Sequence, residues 1–351
     1  GPFVYSGDAP VLFSAAADGN GTMIVAVTSG ERSVSLYRST DGGLTFAPPQ
    51  VIESAEPGVA PRIFTKSGGG WYLFVTRGAE EALSIYYSRS DDGTSWTPFE
   101  SFVEKDPLLR LNFLPSAASA DGVDIVVFQT LAGGDRPSFQ LFSKVSTDGG
   151  ATWSPPKRLT TFLDPVHRDR RSADDFDNQR PHLAMIGDEL WLSWERKLLS
   201  GPAQIYAAKV DRTGTSVPDS VVRVSLGQGN CSDPRLLEAG GEPAIAWFDD
   251  RRGSTRVYIA FRAGTLWTET DLSGKSRGDG AFGRAVYANG GLYAFWQAGR
   301  GTSSSVIGMV PDTTVMAPAA SAVDFQPGEA VRRNRASVSW TVPEDSSGIL
   351  G

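Results

Sequence analysis

Charged side chains recur beside six short, strand-like segments of the chain, most of which begin near a proline. Four of these side chains are arginines, and a guanidinium group binds a carboxylate, sulfate or phosphate through two parallel hydrogen bonds. If the arginines converge, they could bind one anionic ligand. The alternative is internal neutralisation, for example by pairing of Arg180 or Arg235 with Asp233, and the sequence leaves both open. The candidate residues are Asp8, Arg62, Arg180, His182, Asp233, Arg235 and Arg284.

Other catalytic chemistries have little support in the residues present. His167 and His182 are the only histidines, and neither has neighbours typical of a Ser-His-Asp triad or a histidine-rich metal site. The single cysteine, Cys231, excludes an intrachain disulfide and a zinc site built from cysteine pairs. No glycine-rich phosphate loop follows a strand and opens a helix. We therefore expect neither a cofactor nor a metal ion.

The charge balance narrows the class of partner. The chain of 351 residues has 33 basic and 40 acidic residues and a formal net charge of -7. This acidic balance disfavours a general nucleic-acid binder and a polybasic membrane binder. No run of 18 apolar residues is present, so we expect no transmembrane segment. The remaining partner classes are a glycan, an anionic small molecule or another protein.

A repeated motif gives the fold. Ser39 to Phe46 reads STDGGLTF, Ser146 to Trp153 reads STDGGATW, and a version one residue shorter runs from Ser90 to Trp96. Each copy follows a strand-like run, and its residue types indicate a hairpin turn. An Asp side chain can accept hydrogen bonds from nearby backbone N–H groups, while Gly supplies a positive φ. The structural Asp positions are Asp41, Asp92, Asp148 and, in a degenerate copy, Asp211.

Six short strand openings, each followed by a turn and an apolar strand, divide the chain into six units of about 50 residues. Each unit offers roughly four short strands, and no helical periodicity competes with this pattern. We therefore predict an all-β, six-bladed β-propeller over residues 3–312. Phe3-Val4-Tyr5 is placed to complete the last blade. In such a ring the blade-opening residues would lie around one mouth of the central channel, where ligands usually bind.

The repeats resemble the Asp-box (bacterial neuraminidase repeat) units of the sialidase superfamily. The resemblance implies that the boxes lie on the blade periphery, away from the substrate. A sialidase would also need three arginines for the substrate carboxylate, a Tyr activated by a Glu, and an Asp as acid/base. Here Asp8-Ala9-Pro10 stands where the first arginine is expected, and Arg180 and Glu195 appear in exchanged positions.

The opening of blade six departs from the same pattern, because Phe282-Gly283-Arg284 occupies the place of the nucleophilic Tyr. We therefore predict a non-catalytic propeller that binds a glycan, an anionic ligand or a protein at its mouth. The alternative is a sialidase-type glycoside hydrolase with Asp8 as acid/base and Glu195 near a nucleophile such as Tyr287.

Two further segments allow a structural and a functional interpretation. Trp194-Glu195-Arg196 and Trp247-Phe248-Asp249-Asp250-Arg251 follow second strands, and we expect them to hold the strand ends rather than to contact a ligand. The polar connection 164–179 contains an Asp cluster that could bind Ca²⁺, but its spacing matches no calcium loop, so an exposed loop is expected.

The composition changes after the sixth blade. We predict a linker over 313–335 and, over 336–351, the beginning of a fibronectin-III or Ig-like domain, because Ala336 to Pro343 resembles an opening strand of such a sandwich. The alternative is a C-terminal strap packed on the propeller. Further β-sandwich domains are expected C-terminally, in an exported, extracytoplasmic multidomain protein of bacterial type.

Overall fold

The computed structural model describes residues 12–29, 32–53, 60–78, 83–104, 106–133, 137–162, 172–198, 201–273, 280–288, 291–298 and 305–309. These residues form six antiparallel sheets in chain order, five of four strands and a sixth of three strands. Each sheet is a simple meander, in which every strand pairs with the next along the chain. The protein is a six-bladed β-propeller, as the repeats predict.

The strand bounds follow the repeat closely. Blade 1 contains β1 (Phe13–Ala17), β2 (Met23–Thr28), β3 (Ser33–Ser39) and β4 (Gln50–Glu53). Blade 2 contains β5 (Ala60–Thr65), β6 (Trp71–Arg77), β7 (Ser84–Ser90) and β8 (Glu100–Ser101). Blade 3 contains β9 (Leu109–Ala120), β10 (Val123–Ala132), β11 (Ser138–Ser146) and β12 (Lys157–Arg158).

The second half repeats this order. Blade 4 contains β13 (Phe176–Ile186), β14 (Glu189–Leu198), β15 (Gln204–Val210) and β16 (Val222–Arg223). Blade 5 contains β17 (Cys231–Ala239), β18 (Glu242–Asp249), β19 (Arg256–Ala263) and β20 (Leu266–Asp271). Blade 6 contains β21 (Gly280–Ala288), β22 (Gly291–Ala298) and β23 (Ser305–Met309), and two short 3₁₀ turns cover Ala173–Asp175 and Pro218–Ser220.

The core lies between neighbouring blades. Five apolar clusters join blade 1 to 2, 2 to 3, 3 to 4, 4 to 5 and 5 to 6. The second strands of blades 1 to 5 are covered on both faces, and every residue of β6, for example, is buried. This explains why the second strands read as continuous apolar runs rather than as alternating ones. The proposed closing strand Phe3-Val4-Tyr5 lies outside the described residues.

The Asp-box hairpins are held by local hydrogen bonds. In blade 3, Asp148 accepts a hydrogen bond from the Thr152 backbone N–H at 2.9 Å and from the Ser146 hydroxyl at 2.8 Å. The Thr152 hydroxyl also donates to Asp148, at 2.6 Å. This hydrogen bond contributes most to the lowering of the pKa of Asp148 to about 2, and the other two donors add to it. Asp41 makes the same contacts in blade 1, and its pKa is also lowered to about 2.

The remaining boxes keep the role of the aspartate. Asp92 accepts hydrogen bonds from the N–H groups of Thr94 and Ser95, and Asp211 accepts them from Thr213 and Thr215. The box aromatic packs between blades, as expected. Trp153 of blade 3 meets Phe102 of blade 2 edge to face, with 5.1 Å between ring centroids.

The predicted linker 313–335 and the sandwich-like segment 336–351 lie outside the described residues, as does Asp8.

Candidate functional site at the channel mouth

Three inner strands carry the same backbone irregularity. Leu114, Arg180 and Asp233 have φ values of 52°, 50° and 52°, and each lies at a register shift between the first and second strands of its blade. A non-glycine residue in this region is strained by about 1–3 kcal/mol, so the surrounding structure must hold it. Such bulges re-aim a side chain, which is why they recur near functional sites.

The preceding blade holds two of these bulges through a buried side chain. Gln129 Oε1 of β10 accepts a hydrogen bond from the Arg180 backbone N–H at 2.9 Å. Glu195 Oε1 of β14 accepts one from the Asp233 backbone N–H at 2.7 Å. Gln129 and Glu195 occupy equivalent positions in their second strands. Gln129 lies two residues after Val127, which pairs with Ser116 of the first strand. Glu195 lies two residues after Ser193, which pairs with His182.

Glu195 also pairs with a candidate arginine. Arg180 Nη1 donates to Glu195 Oε2 at 2.7 Å, with the Arg180 side chain half exposed and the Glu195 side chain buried. Burial raises the pKa of Glu195, and the Arg180 charge opposes this rise. One carboxylate therefore positions both a backbone bulge and a guanidinium group.

Asp233 is shared between two other candidate arginines. Arg235 Nη2 donates to Asp233 Oδ1 at 2.7 Å, and Arg284 Nη1 lies 3.4 Å from Asp233 Oδ2. Of the two pairings suggested by the sequence, the structure contains Arg235 with Asp233, whereas Arg180 pairs with Glu195. Part of the positive charge is therefore neutralised internally.

Arg62 differs from the other arginines. Its partly buried side chain makes no hydrogen bond or ion pair with any residue that the structure describes. Burial lowers the pKa of the Arg62 guanidinium, the nearby Arg284 charge lowers it further, and Asp233 opposes both. Among the described residues, this cluster thus contains four guanidinium groups and two carboxylates.

His182 lies among these cations as a neutral ring. Its Nδ1 accepts a hydrogen bond from the Leu236 backbone N–H at 3.1 Å, so the ring proton is on Nε2. Burial, followed by the charges of Arg235, Arg284 and Arg62, lowers the pKa of His182 to about 3. The imidazole can therefore donate a hydrogen bond from Nε2 without adding charge. This arrangement can bind an anion through charge-assisted hydrogen bonds.

Three side-chain contacts between the inner strands of neighbouring blades were not predicted from the sequence. Ser14 Oγ accepts from the Ile63 N–H at 3.1 Å, and Ser116 Oγ accepts from the Leu183 N–H at 2.9 Å. His182 Nδ1 makes the same kind of contact with the Leu236 N–H. We call the positions of Ser14, Ser116 and His182, and the equivalent positions in the other blades, latch positions, because these three side chains bind the backbone of the next blade. Strand pairing puts Ser14, Arg62, Ser116, His182, Arg235 and Arg284 at the same place in successive blades.

Blade 1 therefore begins later than the sequence comparison suggested. The sequence comparison places the opening of blade 1 at Asp8-Ala9-Pro10, yet β1 begins at Phe13 and Ser14 pairs with Ala26 as Arg62 pairs with Phe74. The distance to the hairpin is the signal that would have found Ser14. Asp8, placed at the mouth by that comparison, lies outside the described residues.

Tyr287 belongs to the core between blades 5 and 6 rather than to the charged cluster. It lies three residues after Arg284 on β21, and side chains an odd number of residues apart point to opposite faces of a strand.

The two Trp-containing strand ends make structural contacts. The Trp194 indole N–H donates to Asn178 Oδ1 at 3.0 Å, and the buried Arg196 guanidinium lies 3.8 Å from the Phe176 ring centroid. In blade 5, Arg251 binds both Asp249 and Glu269.

Cys231 and the acidic connection also serve local structure. Burial raises the pKa of Cys231, whose thiol donates to Asp249 Oδ2 at 3.1 Å. Of the connection 164–179, the described part begins at Ser172, and there Asp174 pairs with Arg158 at 2.7 Å while Asp177 accepts from the Phe139 N–H at 2.8 Å. Within the described ranges, no group of three or more His, Cys, Asp or Glu side chains could hold a metal ion. No helix among these residues is long and apolar enough to span a membrane.

Comparison with known proteins shows similarity in the repeat and in the fold. The BNR/Asp-box repeat family matches residues 144–155, which is the blade 3 hairpin. No curated protein sequence is significantly similar to the chain. Among solved structures, a Penicillium chrysogenum α-L-arabinanase complexed with arabinobiose is similar with a TM-score of 0.58 and 15% identity, over 86% of this chain and 93% of that one.

Two further solved structures have the same architecture. An ulvan lyase bound to a glucuronate–rhamnose sulfate saccharide has a TM-score of 0.58 and 12% identity, over 83% of this chain and 78% of that one. A Trypanosoma rangeli sialidase in complex with an inhibitor has a TM-score of 0.50 and 15% identity, over 84% of this chain and 53% of that one. At these identities the likeness shows the fold alone. The chain is a six-bladed β-propeller that carries BNR/Asp-box repeats.

Proposed function

We propose that this propeller is a non-catalytic recognition module that binds an acidic glycan at its channel mouth. The observation that supports this most directly is Arg62, a partly buried guanidinium with no partner among the described residues. Its neighbours Arg235 and Arg284 share one carboxylate, so the cluster retains positive charge although the whole chain is acidic. An anionic ligand would relieve the repulsion between these cations.

A glycan is favoured over other anions because the similar propellers named above include an arabinanase and a lyase with bound saccharides. Uronic acids and sulfated sugars have the flat or trigonal oxygen arrangement that a guanidinium group binds in bidentate fashion. The neutral His182 ring adds a donor suited to a hydroxyl or carboxylate oxygen.

The hydrolytic alternative has weaker support. Glu195 is buried and its pKa is raised, as for a general acid, but it already binds Arg180 and the Asp233 N–H. Tyr287 packs in the core between blades 5 and 6. A fluorogenic sialoside tests this alternative, and we expect no turnover. Turnover that is lost in an Asp8→Ala variant would refute the non-catalytic proposal.

Binding is best tested with matched saccharides. Titration calorimetry with an oligogalacturonate, a sulfated oligosaccharide and a neutral oligogalactose should show binding of an acidic chain only. Arg62→Ala should weaken this binding by roughly 1.5–3 kcal/mol, since a charge-assisted hydrogen bond is removed, which is on the order of a 10- to 100-fold rise in Kd.

Arg212→Ala is the matched control. Arg212 is exposed in the blade 4 hairpin and pairs with Asp121, so the variant makes the same change in net charge away from the mouth. Equal losses in the two variants would show a general charge effect and would contradict a site at the mouth. Binding of the neutral saccharide with the same affinity would contradict the acidic ligand.

We further infer that the propeller, over 3–312, works outside the cytoplasm and is joined by a linker over 313–335 to a sandwich-like segment over 336–351. The support is the resemblance to BNR/Asp-box propellers and the sandwich-like segment 336–351. Fractionation of the native host tests the location, and recovery of the protein only from the cytoplasm would contradict it.

A further inference from the structure

Three of the six latch positions hold residues that can accept a hydrogen bond, and the other three hold arginines, which cannot. Ser14, Ser116 and His182 each accept from a backbone N–H on the first strand of the next blade. Arg62, Arg235 and Arg284 occupy the same place in the other blades. An arginine side chain has five donors and no acceptor, so it cannot make this contact.

The consequence is clearest beside Arg62. The residue after each latch position supplies the N–H in the next blade, as Leu183 does for Ser116. Ala117 holds that place in blade 3, because it pairs with Val126 as Leu183 pairs with Leu192. By this register the Ala117 N–H faces the position of Arg62, and no described side chain accepts from it as Ser14, Ser116 and His182 accept from their partners.

Two donors that face each other across a blade interface need an acceptor between them. A backbone N–H that is buried without one costs free energy comparable to a lost hydrogen bond. Ala117 is only partly buried. The positive charge of Arg62, with Arg284 and Asp233 near enough to affect its pKa, favours an anion over water.

We propose that the Arg62 guanidinium and the Ala117 N–H form an anion subsite that takes one carboxylate or sulfate group. One oxygen of the group accepts from the Ala117 N–H, and another accepts from Arg62. The bound anion thus replaces the side-chain latch between blades 2 and 3. Arg62 is the best of the three positions because Arg235 and Arg284 already contact Asp233. The subsite deepens the proposed function, since it would receive the acidic group of the glycan.

The repeat itself supplies the test. Arg62→Ser places at this position the side chain that makes the latch from Ser14 and Ser116, whereas Arg62→Ala removes the guanidinium without providing an acceptor. Thermal unfolding is followed for the wild-type protein and both variants in sodium acetate, sodium glucuronate and sodium sulfate. Each is compared with sodium chloride at equal ionic strength.

We expect each of the three anions, at about ten times its Kd, to raise the wild-type Tm by roughly 2–4 °C over chloride. This rise should be absent in both variants, and without added anion Arg62→Ser should melt higher than Arg62→Ala. Acetate and sulfate represent a free anion, while glucuronate represents a sugar carboxylate, so a rise with glucuronate alone assigns the subsite to the glycan.

Three results would overturn the inference. They are an anion-dependent rise that persists in both variants, the absence of any rise in the wild-type protein, and an Arg62→Ser variant that melts no higher than Arg62→Ala. The outcome is separable from that of glycan binding. If the anion-dependent rise in Tm is absent from both variants but the wild-type protein binds no oligosaccharide, the subsite is retained and the proposed function is refuted. If the wild-type protein binds the acidic oligosaccharide but the rise in Tm persists in both variants, only the subsite is refuted.

Discussion

Substitution of Glu195 tests how the mouth is held together. Its carboxylate accepts from the Asp233 backbone N–H and from Arg180, both at 2.7 Å, and only 5% of the residue is exposed. Gln129 performs the first of these tasks one blade earlier, where its amide oxygen accepts from the Arg180 N–H at 2.9 Å. The repeat thus indicates that an amide can replace the carboxylate as holder of the bulge.

The expected magnitudes follow from these contacts. Glu195→Ala leaves the Asp233 N–H without an acceptor, which costs about 1–3 kcal/mol for a buried donor. The lost pair with Arg180 adds less than about 1 kcal/mol, because the arginine is half exposed. We therefore expect a loss of roughly 2–3 kcal/mol in the free energy of unfolding. Glu195→Gln should stay within about 1 kcal/mol of the wild-type protein, since it retains an acceptor.

Urea unfolding of the three proteins at pH 7 measures these differences through the midpoint and slope of the transition. Equal losses in the alanine and glutamine variants would show that the charge, rather than the acceptor, holds the bulge. An unchanged alanine variant would refute the reasoning altogether. In the glutamine variant Arg180 loses its anionic partner, so an acidic oligosaccharide should bind more tightly than to the wild-type protein.

The pH dependence of the same pair of proteins has a defined sign. Burial raises the pKa of Glu195 in the folded protein. The stabilising contribution of such a group is complete below its ordinary pKa and is lost as the pH rises through the folded value. The stability of the wild-type protein relative to Glu195→Gln should therefore fall as the pH is raised from 4 towards 7. A difference that is constant over this range would contradict the raised pKa.

Three other predictions concern the hairpins and the histidine. The pKa of Asp148 is lowered to about 2, so the advantage of the wild-type protein over Asp148→Ala in thermal unfolding should be complete above pH 3.8 and vanish as the pH falls through 2. Gly149→Ala should cost about 1–2 kcal/mol, because Gly149 has a positive φ. Gly150→Ala should cost more, because a Cβ at Gly150 would also lie 2.5 Å from the Tyr72 ring. Equal urea midpoints for the two variants would contradict this contact. The pKa of His182 is lowered to about 3, so glycan affinity should be constant between pH 6 and 8 by calorimetry, and a tenfold change would show that the imidazole titrates there.

The hairpin chemistry could be predicted from the sequence because it is local. Asp148 bonds to residues two and four positions away, and the Gly at positive φ lies within the same turn. Residue types and spacing over eight positions are therefore enough to identify each copy. The six strand openings that recur along the chain then gave the number of blades.

The candidate site could be predicted only in outline. Arg180, His182, Asp233 and Arg284 were expected near one another because a ring brings all blade openings to one mouth. The role of Glu195 could not be predicted, because its carboxylate contacts the Asp233 N–H across 38 positions of sequence and also pairs with Arg180. The sequence could not predict either that Arg62 has no partner among the described residues, since this depends on the side chains of the neighbouring blades.

The order of residues along this chain determined the repeat, the turn chemistry and the all-β architecture, because each depends on neighbours a few positions apart. Only the tertiary structure decided which latch positions accept a hydrogen bond and where Ser14 stands relative to Arg62. Strand register and blade packing set those contacts, and both are collective properties of sheets built from distant segments.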